Sequence, residues 1–286
     1  MKEITSSSVK TFQTCHRKYF FSYVLLLKEK AENPHFLLGR NLHEQVEYFY
    51  THQKMNEDFI NSLPPTKESA LLKGMLSGYA KKYSPDEFFA YEPEKLFSIP
   101  LPQFDTAVRG RLDAVVTTQE DEVMLLEYKT TSLDIEKFKE QMDNDLQPML
   151  YIWAHYMESK ELCDGMVYRV IKKPALRLKK TESEEELWQR LTDAYAEPEE
   201  YFHTFKVYKT QDEIAWFQDE LQYYMEEMAK DRSIWPRNLQ RCFDYYSTCP
   251  FMPLCQKQEV DTGLISSCYD KKSTQHEELI QEEIDV

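Results

Sequence analysis

"GRLDAVVTTQEDEVMLLEYKTT", Gly110 to Thr131, is the stretch on which the reading of this chain turns. Its second half carries the apolar run Met124-Leu125-Leu126 straight into Glu127 and Lys129. Charged groups at the end of a buried strand cost several kcal/mol unless they find partners. Either the strand runs out into water there, or the charges are kept for chemistry. On a strand, Glu127 and Lys129 point to one face, and Arg109, Arg111 and Asp113 share a face of the preceding strand. A turn centred on Glu120 sets Asp113 directly opposite Glu127, with Cβ atoms about 5 Å apart. The expectation is a cluster of two carboxylates and one ammonium, which a slip of one residue would undo.

Two carboxylates that close repel, and one is expected to hold a proton. A divalent cation removes the conflict, because hard cations take oxygen ligands from carboxylates and phosphates. Such an ion polarises a phosphate and acidifies a water, and Lys129 beside that water can orient it and offset negative charge. The competing reading is an ordinary Asp/Glu/Lys salt-bridge set on a surface hairpin.

Outward from the hairpin, helical spacing covers residues 6–26, 37–54 and 66–83, followed by strand-like runs at 95–101, 107–118 and 122–130. Helical patterns return at 134–160, where Pro148 is tolerable only in a first turn, so a helix begins near Leu146. A strand at 164–172, an acidic helix at 184–197, a strand at 204–209 and a long helix at 211–230 complete the pattern. This order predicts an α/β fold with a central mixed sheet and helices on both faces. A single domain is expected over 1–268: a helical part (1–90), a core (91–210) and a C-terminal helix with a cysteine segment (211–268). An acidic flexible tail follows at 269–286.

At 286 residues with 42% hydrophobic composition, the chain has material for a sizeable core. Its six glycines include no phosphate-cradling loop. No run approaches the ~18 apolar residues of a membrane span, and "MKEITSSSVK" lacks the apolar core of a signal peptide. A cytoplasmic protein without membrane contact is the expectation. The net charge of −15 argues against coating nucleic acid by bulk electrostatics, though local patches can act against that background. One such patch is "KKPALRLKK", where Lys172, Lys173, Arg177, Lys179 and Lys180 put five basic residues into nine positions. With Arg109 and Arg111 it could track a phosphate backbone; the alternative is a strand edge protected by lysines.

Asp113 followed by Glu127-Tyr128-Lys129 resembles the active-site signature of the PD-(D/E)XK nucleases, and "GRLDAVV" with "LLEYKTT" resembles the RecB-type branch. Leu112 stands where the family name has proline. The resemblance implies a restriction-endonuclease-like fold. It also implies Mg²⁺ or Mn²⁺ held by His43 (in "GRNLHEQVE"), Asp113, Glu127 and the Tyr128 carbonyl. Asp113, Glu127 and Lys129 would be catalytic, with Gln147 and Tyr151, i and i+4 on one helix, shaping the substrate side. The implied activity is hydrolysis of DNA phosphodiesters, as an exonuclease on single strands or ends, with a helicase or recombination protein as an expected partner. Two other readings stay open: a non-catalytic nuclease-fold binding module in a recombination or repair complex, and a metal hydrolase of small phosphoesters.

Cys242, Cys249 and Cys255 lie within fourteen residues, and Cys15 stands far from them in "FQTCHRKYFFSY". The gaps of six and five residues are not the paired C-x₂-C of a zinc ribbon. One early cysteine and three late ones resemble the iron–sulfur RecB-type nucleases, including the CRISPR-associated DNA-trimming enzymes. That resemblance implies a [4Fe–4S] cluster on Cys15, Cys242, Cys249 and Cys255, joining the first helix to the C-terminal segment. Its first gap is wider than the two residues common in relatives, and His16 stands where proline is common. Zinc and unmetallated thiols are the alternatives, and Cys163 and Cys268 are left out.

Overall fold

Thr5, Asn56, Thr66, Asp134, Asp145 and Ser183 each accept a hydrogen bond from a backbone N–H in the first turn of the helix they precede. Short polar side chains at these points satisfy donors that a helix start leaves open. The protein, seen as a computed structural model, is described here for residues 2–31, 34–84, 86–244, 247–257 and 260–279. Its elements run β1 (Lys2–Ile4), α1 (Ser6–Thr14), α2 (His16–Tyr19), β2 (Leu27–Glu29), α3 (Pro34–His52), α4 (Glu57–Ser62), α5 (Lys67–Lys82), β3 (Phe89–Leu101), β4 (Thr106–Thr117) and β5 (Val123–Thr131). They continue as α6 (Ile135–Asp143), α7 (Leu146–Ser159), β6 (Gly165–Lys172), α8 (Glu184–Asp193), β7 (Phe202–Val207) and α9 (Gln211–Ala229). The last are β8 (Phe243–Asp244), β9 (Ser247–Thr248), α10 (Met252–Cys255), α11 (Thr262–Cys268) and β10 (Tyr269–Lys271).

The chain divides into two compact units. One comprises Met1–Glu32, Leu96–Gly110 and Asp212–Val286; the other comprises Asn33–Lys95 and Arg111–Gln211. In the second unit the strands lie in the order β4-β5-β6-β7, antiparallel at both outer pairs and parallel between β5 and β6. This is the expected mixed sheet. Leu42 and Val46 of α3, Met75, Leu76 and Tyr79 of α5, and Leu191 of α8 pack on one face of it, over Val116, Leu126, Tyr128 and Val167. α6 and α7 pack against β7 and β6. Met124, Leu125 and Leu126 are all buried, as a strand covered on both faces requires.

The hairpin register holds. Ala114 pairs with Leu126, Val115 with Leu125 and Thr117 with Val123, so the ladder is centred on Glu120. The turn closes through the Thr118 N–H to the Glu122 carbonyl at 2.9 Å, with Asp121 in the left-handed region at φ 62°.

Other expectations shift. The helix expected over 6–26 breaks at Cys15, whose backbone is extended (φ −164°, ψ 113°), and resumes as α2 and a π-helical turn at Phe20–Val24. The helical stretch 134–160 is two helices, because Asp145 ends one turn and caps α7. α7 begins at Leu146, as Pro148 demanded. Tyr269–Lys271, placed by sequence at the start of the acidic tail, pairs as β10 with β2, and Tyr269 is buried. Residues 280–286 of that tail lie outside the described residues.

A buried ion pair underlies the second unit. Arg169 of β6 is 1% exposed and binds Asp86 through both terminal nitrogens. It also donates to the Tyr50 and Tyr79 hydroxyls at 2.5 and 3.1 Å and lies over the Tyr83 ring at 3.9 Å. Burial opposes the Asp86 charge, but the Arg169 guanidinium and the Tyr50 hydroxyl carry its carboxyl below the usual range. Removing one partner strands a charge, so Asp86→Ala should lower unfolding stability by about 3–5 kcal/mol in equilibrium urea denaturation. Adding Arg169→Met should restore most of the loss; a double variant no better than the single one would contradict this account.

Candidate active site and cysteine cluster

β5 sends alternate side chains to opposite faces: Leu126 and Tyr128 enter the core, while Glu127 and Lys129 face away from it. Asp113, on β4, converges with them. Its Oδ1 lies 2.9 Å from His43 Nδ1 of α3, and its Oδ2 accepts the Tyr128 backbone N–H at 2.7 Å. Lys129 Nζ contacts Glu127 Oε1, which also accepts from Gln147 Nε2 at 2.8 Å. Gln147 in turn hydrogen-bonds Tyr151, one turn further along α7. The side chains of His43, Asp113, Glu127, Lys129, Gln147 and Tyr151 and the Tyr128 backbone N–H therefore meet at one place in the second unit. Glu127 Oε2 is buried there with no hydrogen-bond partner.

The charges differentiate the two acids. Burial pushes the Asp113 carboxyl up, but His43, the Tyr128 N–H and Lys129 hold it below the usual range. For Glu127, burial and the Asp113 charge prevail over Lys129 and His43, and its carboxyl is raised. Burial opposes the His43 and Lys129 charges, yet their carboxylate partners raise both. One acid is thus held ionised and its neighbour is reluctant to ionise, a pattern suited to paired roles.

Sequence reasoning missed three nearby groups. Tyr168 of β6 lies directly beside Glu127 in the parallel ladder. Its pairing depends on an offset of strands distant in sequence, which no local pattern reveals. Glu94 and Glu47 were not singled out either. Glu94 Oε2 lies 2.9 Å from Arg111 Nε, and its backbone has φ 47°.

The expected phosphate-binding residues are dispersed. Lys172 ends β6, while Arg177, Lys179 and Lys180 are exposed on the irregular segment and turn that follow. Lys173 is half-buried, and burial lowers its ammonium below the usual range. Arg111 is paired with Glu94 in the second unit, and Arg109 with Glu3 in the first.

In the first unit, Cys15, Cys242, Cys249 and Cys255 are all free and half-buried, whereas Cys163 in the second unit is buried and Cys268 is exposed. Phe243 pairs with Thr248 and Asp244 with Ser247, so β8 and β9 form a small hairpin between Cys242 and Cys249. The Cys249 N–H donates to the Cys242 carbonyl at 2.8 Å, closing that hairpin at its base. The wide gap therefore brings the two cysteines together. The helix break at Cys15 leaves its Sγ to accept the Asn238 N–H at 3.4 Å. Burial and the charges of Cys249, Cys15 and Cys242 push the Cys255 thiol up to about 11.

The sequence profile described as the PD-(D/E)XK nuclease superfamily matches residues 3–256. The chain belongs to that superfamily. Among curated proteins no sequence matches it. The crystal structure of SSO0001 is 13% identical over 85% of this chain and 82% of that one, with a TM-score of 0.37. An alkaline exonuclease (LHK-Exo) from Laribacter hongkongensis is 11% identical over 79% of this chain and 91% of its own, with a TM-score of 0.28.

Membership makes this a protein of the nuclease type, and PD-(D/E)XK nucleases typically use divalent metals such as Mg²⁺ or Mn²⁺. Among the described residues no three His, Cys, Asp or Glu side chains are gathered as they are around one ion. Each carboxylate instead has a cationic neighbour, His43 for Asp113 and Lys129 for Glu127. The donor chemistry nevertheless fits an oxygen-seeking cation, because two buried carboxylates adjoin and Glu127 Oε2 is unsatisfied. No helix among the described residues is long and apolar enough to cross a membrane.

The candidate site carries a pH signature at its margin. Burial and the charge of Asp113 raise the Glu94 carboxyl to about 7, outweighing Arg111. A carboxyl raised on folding binds its proton more tightly in the folded state. Its contribution is therefore fully present below the unfolded value and lost as pH rises towards 7. Differential scanning fluorimetry of Glu94→Gln between pH 4.5 and 8 should show a smaller fall in melting temperature than the parent; equal slopes would remove Glu94 from this role.

Proposed function

We propose that this chain is a divalent-metal-dependent deoxyribonuclease that hydrolyses phosphodiesters, working as an exonuclease on single-stranded DNA or DNA ends. The observation that carries the reading is the convergence of Asp113, Glu127 and Lys129 across one hairpin, with Glu127 Oε2 left as an open buried acceptor. Asp113, Glu127, His43 and the Tyr128 carbonyl are the residues that would hold Mg²⁺ or Mn²⁺. When bound, the ion supplies charge neutralisation at the phosphate and acidification of water.

The chain's own groups do the rest. The Lys129 ammonium, kept charged by Glu127, orients the attacking water and offsets the negative charge that develops on the phosphate. Gln147 fixes the Glu127 carboxylate through its amide, and Tyr151 fixes Gln147, so the helix following the strand sets the angle of the acid. The exposed Arg177, Lys179 and Lys180 are the side chains best placed to hold a phosphate backbone, since Arg109 and Arg111 already face carboxylates. A helicase or recombination protein would present the strand, and a cytoplasmic setting suits free thiols.

End-labelled single-stranded DNA incubated with Mn²⁺ tests this directly. The parent should shorten the label stepwise, while Lys129→Ala and Asp113→Ala each lose about 100-fold or more in rate and keep their circular dichroism. Undiminished cutting by either variant would move the chemistry elsewhere.

The same reading includes a [4Fe–4S] cluster on Cys15, Cys242, Cys249 and Cys255, supported by four free, half-buried thiols within one unit. Protein purified without oxygen should contain about four irons and as many inorganic sulfides per chain. Cys249→Ser should lose them and Cys268→Ser keep them. Stoichiometric zinc with no sulfide would replace the cluster by a zinc site.

A further inference from the structure

The buried face of β5 that carries Glu127 has a neighbour in β6 which none of the site's roles absorbs. Tyr168 stands directly beside Glu127 in the parallel ladder, and side chains at paired positions share a face. Its ring is stacked on Phe205 of β7 at 5.5 Å between centroids, which fixes the direction of the phenol. The residue is wholly buried, yet its hydroxyl has no hydrogen-bond partner. Buried hydroxyls in folded proteins are almost always bonded, so an exception calls for a cause.

A second exception lies beside it. Glu127 Oε2 is also buried and also without a partner. The two unsatisfied groups are the carboxylate oxygen and the phenol of adjacent, laterally paired residues. Burial pushes the Tyr168 phenol up, and the charges of Glu127, Asp145, Tyr151 and Asp113 add to it. Both side chains lie on the same face of adjacent strands. A direct bond between them would have satisfied both without a guest, and it is not made.

We propose that Tyr168 is a positioning residue of the cation site, its hydroxyl hydrogen-bonding the water that enters with a divalent cation at Glu127 Oε2. This rests on the reading of Asp113 and Glu127 as metal carboxylates. A phenol suits the task because it can accept from water or donate to it, and because its rigid ring cannot swing away from a stacked partner. Groups that hold a metal site from outside the ligand set characteristically change affinity about 10–100-fold when removed. Tyr168 acts through water and not on the phosphate, so its effect falls on metal binding before it falls on turnover.

The test is calorimetric titration of Mn²⁺ into the full chain without DNA, for the parent, Tyr168→Phe and Glu127→Gln, alongside melting temperatures with and without Mn²⁺. The expected result is about tenfold weaker Mn²⁺ binding by Tyr168→Phe. Its metal-free melting temperature should be unchanged or higher, because an unsatisfied hydroxyl has been removed. Mn²⁺ should then raise the melting temperature of Tyr168→Phe by less than it raises that of the parent. If Tyr168→Phe binds Mn²⁺ like the parent while Glu127→Gln does not, the role of Tyr168 is overturned and the metal site stands. A lower metal-free melting temperature with unchanged affinity also overturns it, leaving Tyr168 as packing. If Glu127→Gln binds Mn²⁺ as the parent does, the carboxylate reading itself fails, and the inference with it.

Discussion

At Asp113 a side chain takes over work that the backbone does elsewhere. The β4–β5 ladder ends with Ala114 opposite Leu126. Two residues further along β5, the Tyr128 N–H is satisfied by the Asp113 carboxylate at 2.7 Å. A buried N–H without an acceptor is costly, so this bond fixes the carboxylate as firmly as it finishes the strand. It leaves one Asp113 oxygen for His43, and these partners let the group stay ionised despite burial. Burial and the ionised Asp113 then raise its neighbour Glu127. The electrostatic asymmetry of the site is thus a consequence of where the hairpin ladder stops.

β5 and β6 are polar on both faces at this level. Glu127 lies beside Tyr168 on one face, and on the other Tyr128 lies beside Arg169. The Tyr128 hydroxyl is 3.2 Å from that of Tyr79, which Arg169 also reaches. Because Tyr128 sits between Glu127 and Lys129 in the chain, neither charged residue can shift without pulling that phenol from its buried contacts. A site that must hold charges close together benefits from such support, since small displacements change charge interactions steeply where water is excluded. The Arg169–Asp86 pair stabilises the underside, and the reactive face inherits its rigidity.

Much of this was legible in the sequence because it is local. A turn centred on Glu120 puts Asp113 opposite Glu127, the strand alternation puts Lys129 on the same face, and the observed ladder has that centre. The start of α7 followed from the restriction that Pro148 imposes. What stayed hidden is set by pairing over long separations. Tyr168 meets Glu127 through a parallel crossover, and Asp86 meets Arg169 from the far side of the unit's sequence. Neither partner has a periodic signal, since each is one polar residue within an otherwise unremarkable run. The break at Cys15 was hidden for the opposite reason. Local helical spacing continues through it, while the break is met by hydrogen bonds from Asn238, far along the chain.

The cysteine segment shows why spacing along a chain is an imperfect measure of spacing in the fold. Six residues between Cys242 and Cys249 look too many for a shared metal site if the chain between them is extended. Folded as β8 and β9, those residues return the chain on itself and leave the two cysteines joined at the base by a backbone bond. Cys15 joins from the other end of the sequence, held by Asn238, whose side chain also donates to the Thr14 carbonyl at 2.9 Å. Within the first unit, these two hydrogen bonds from one residue join the first helix to the C-terminal segment across separations of 223 and 224 residues.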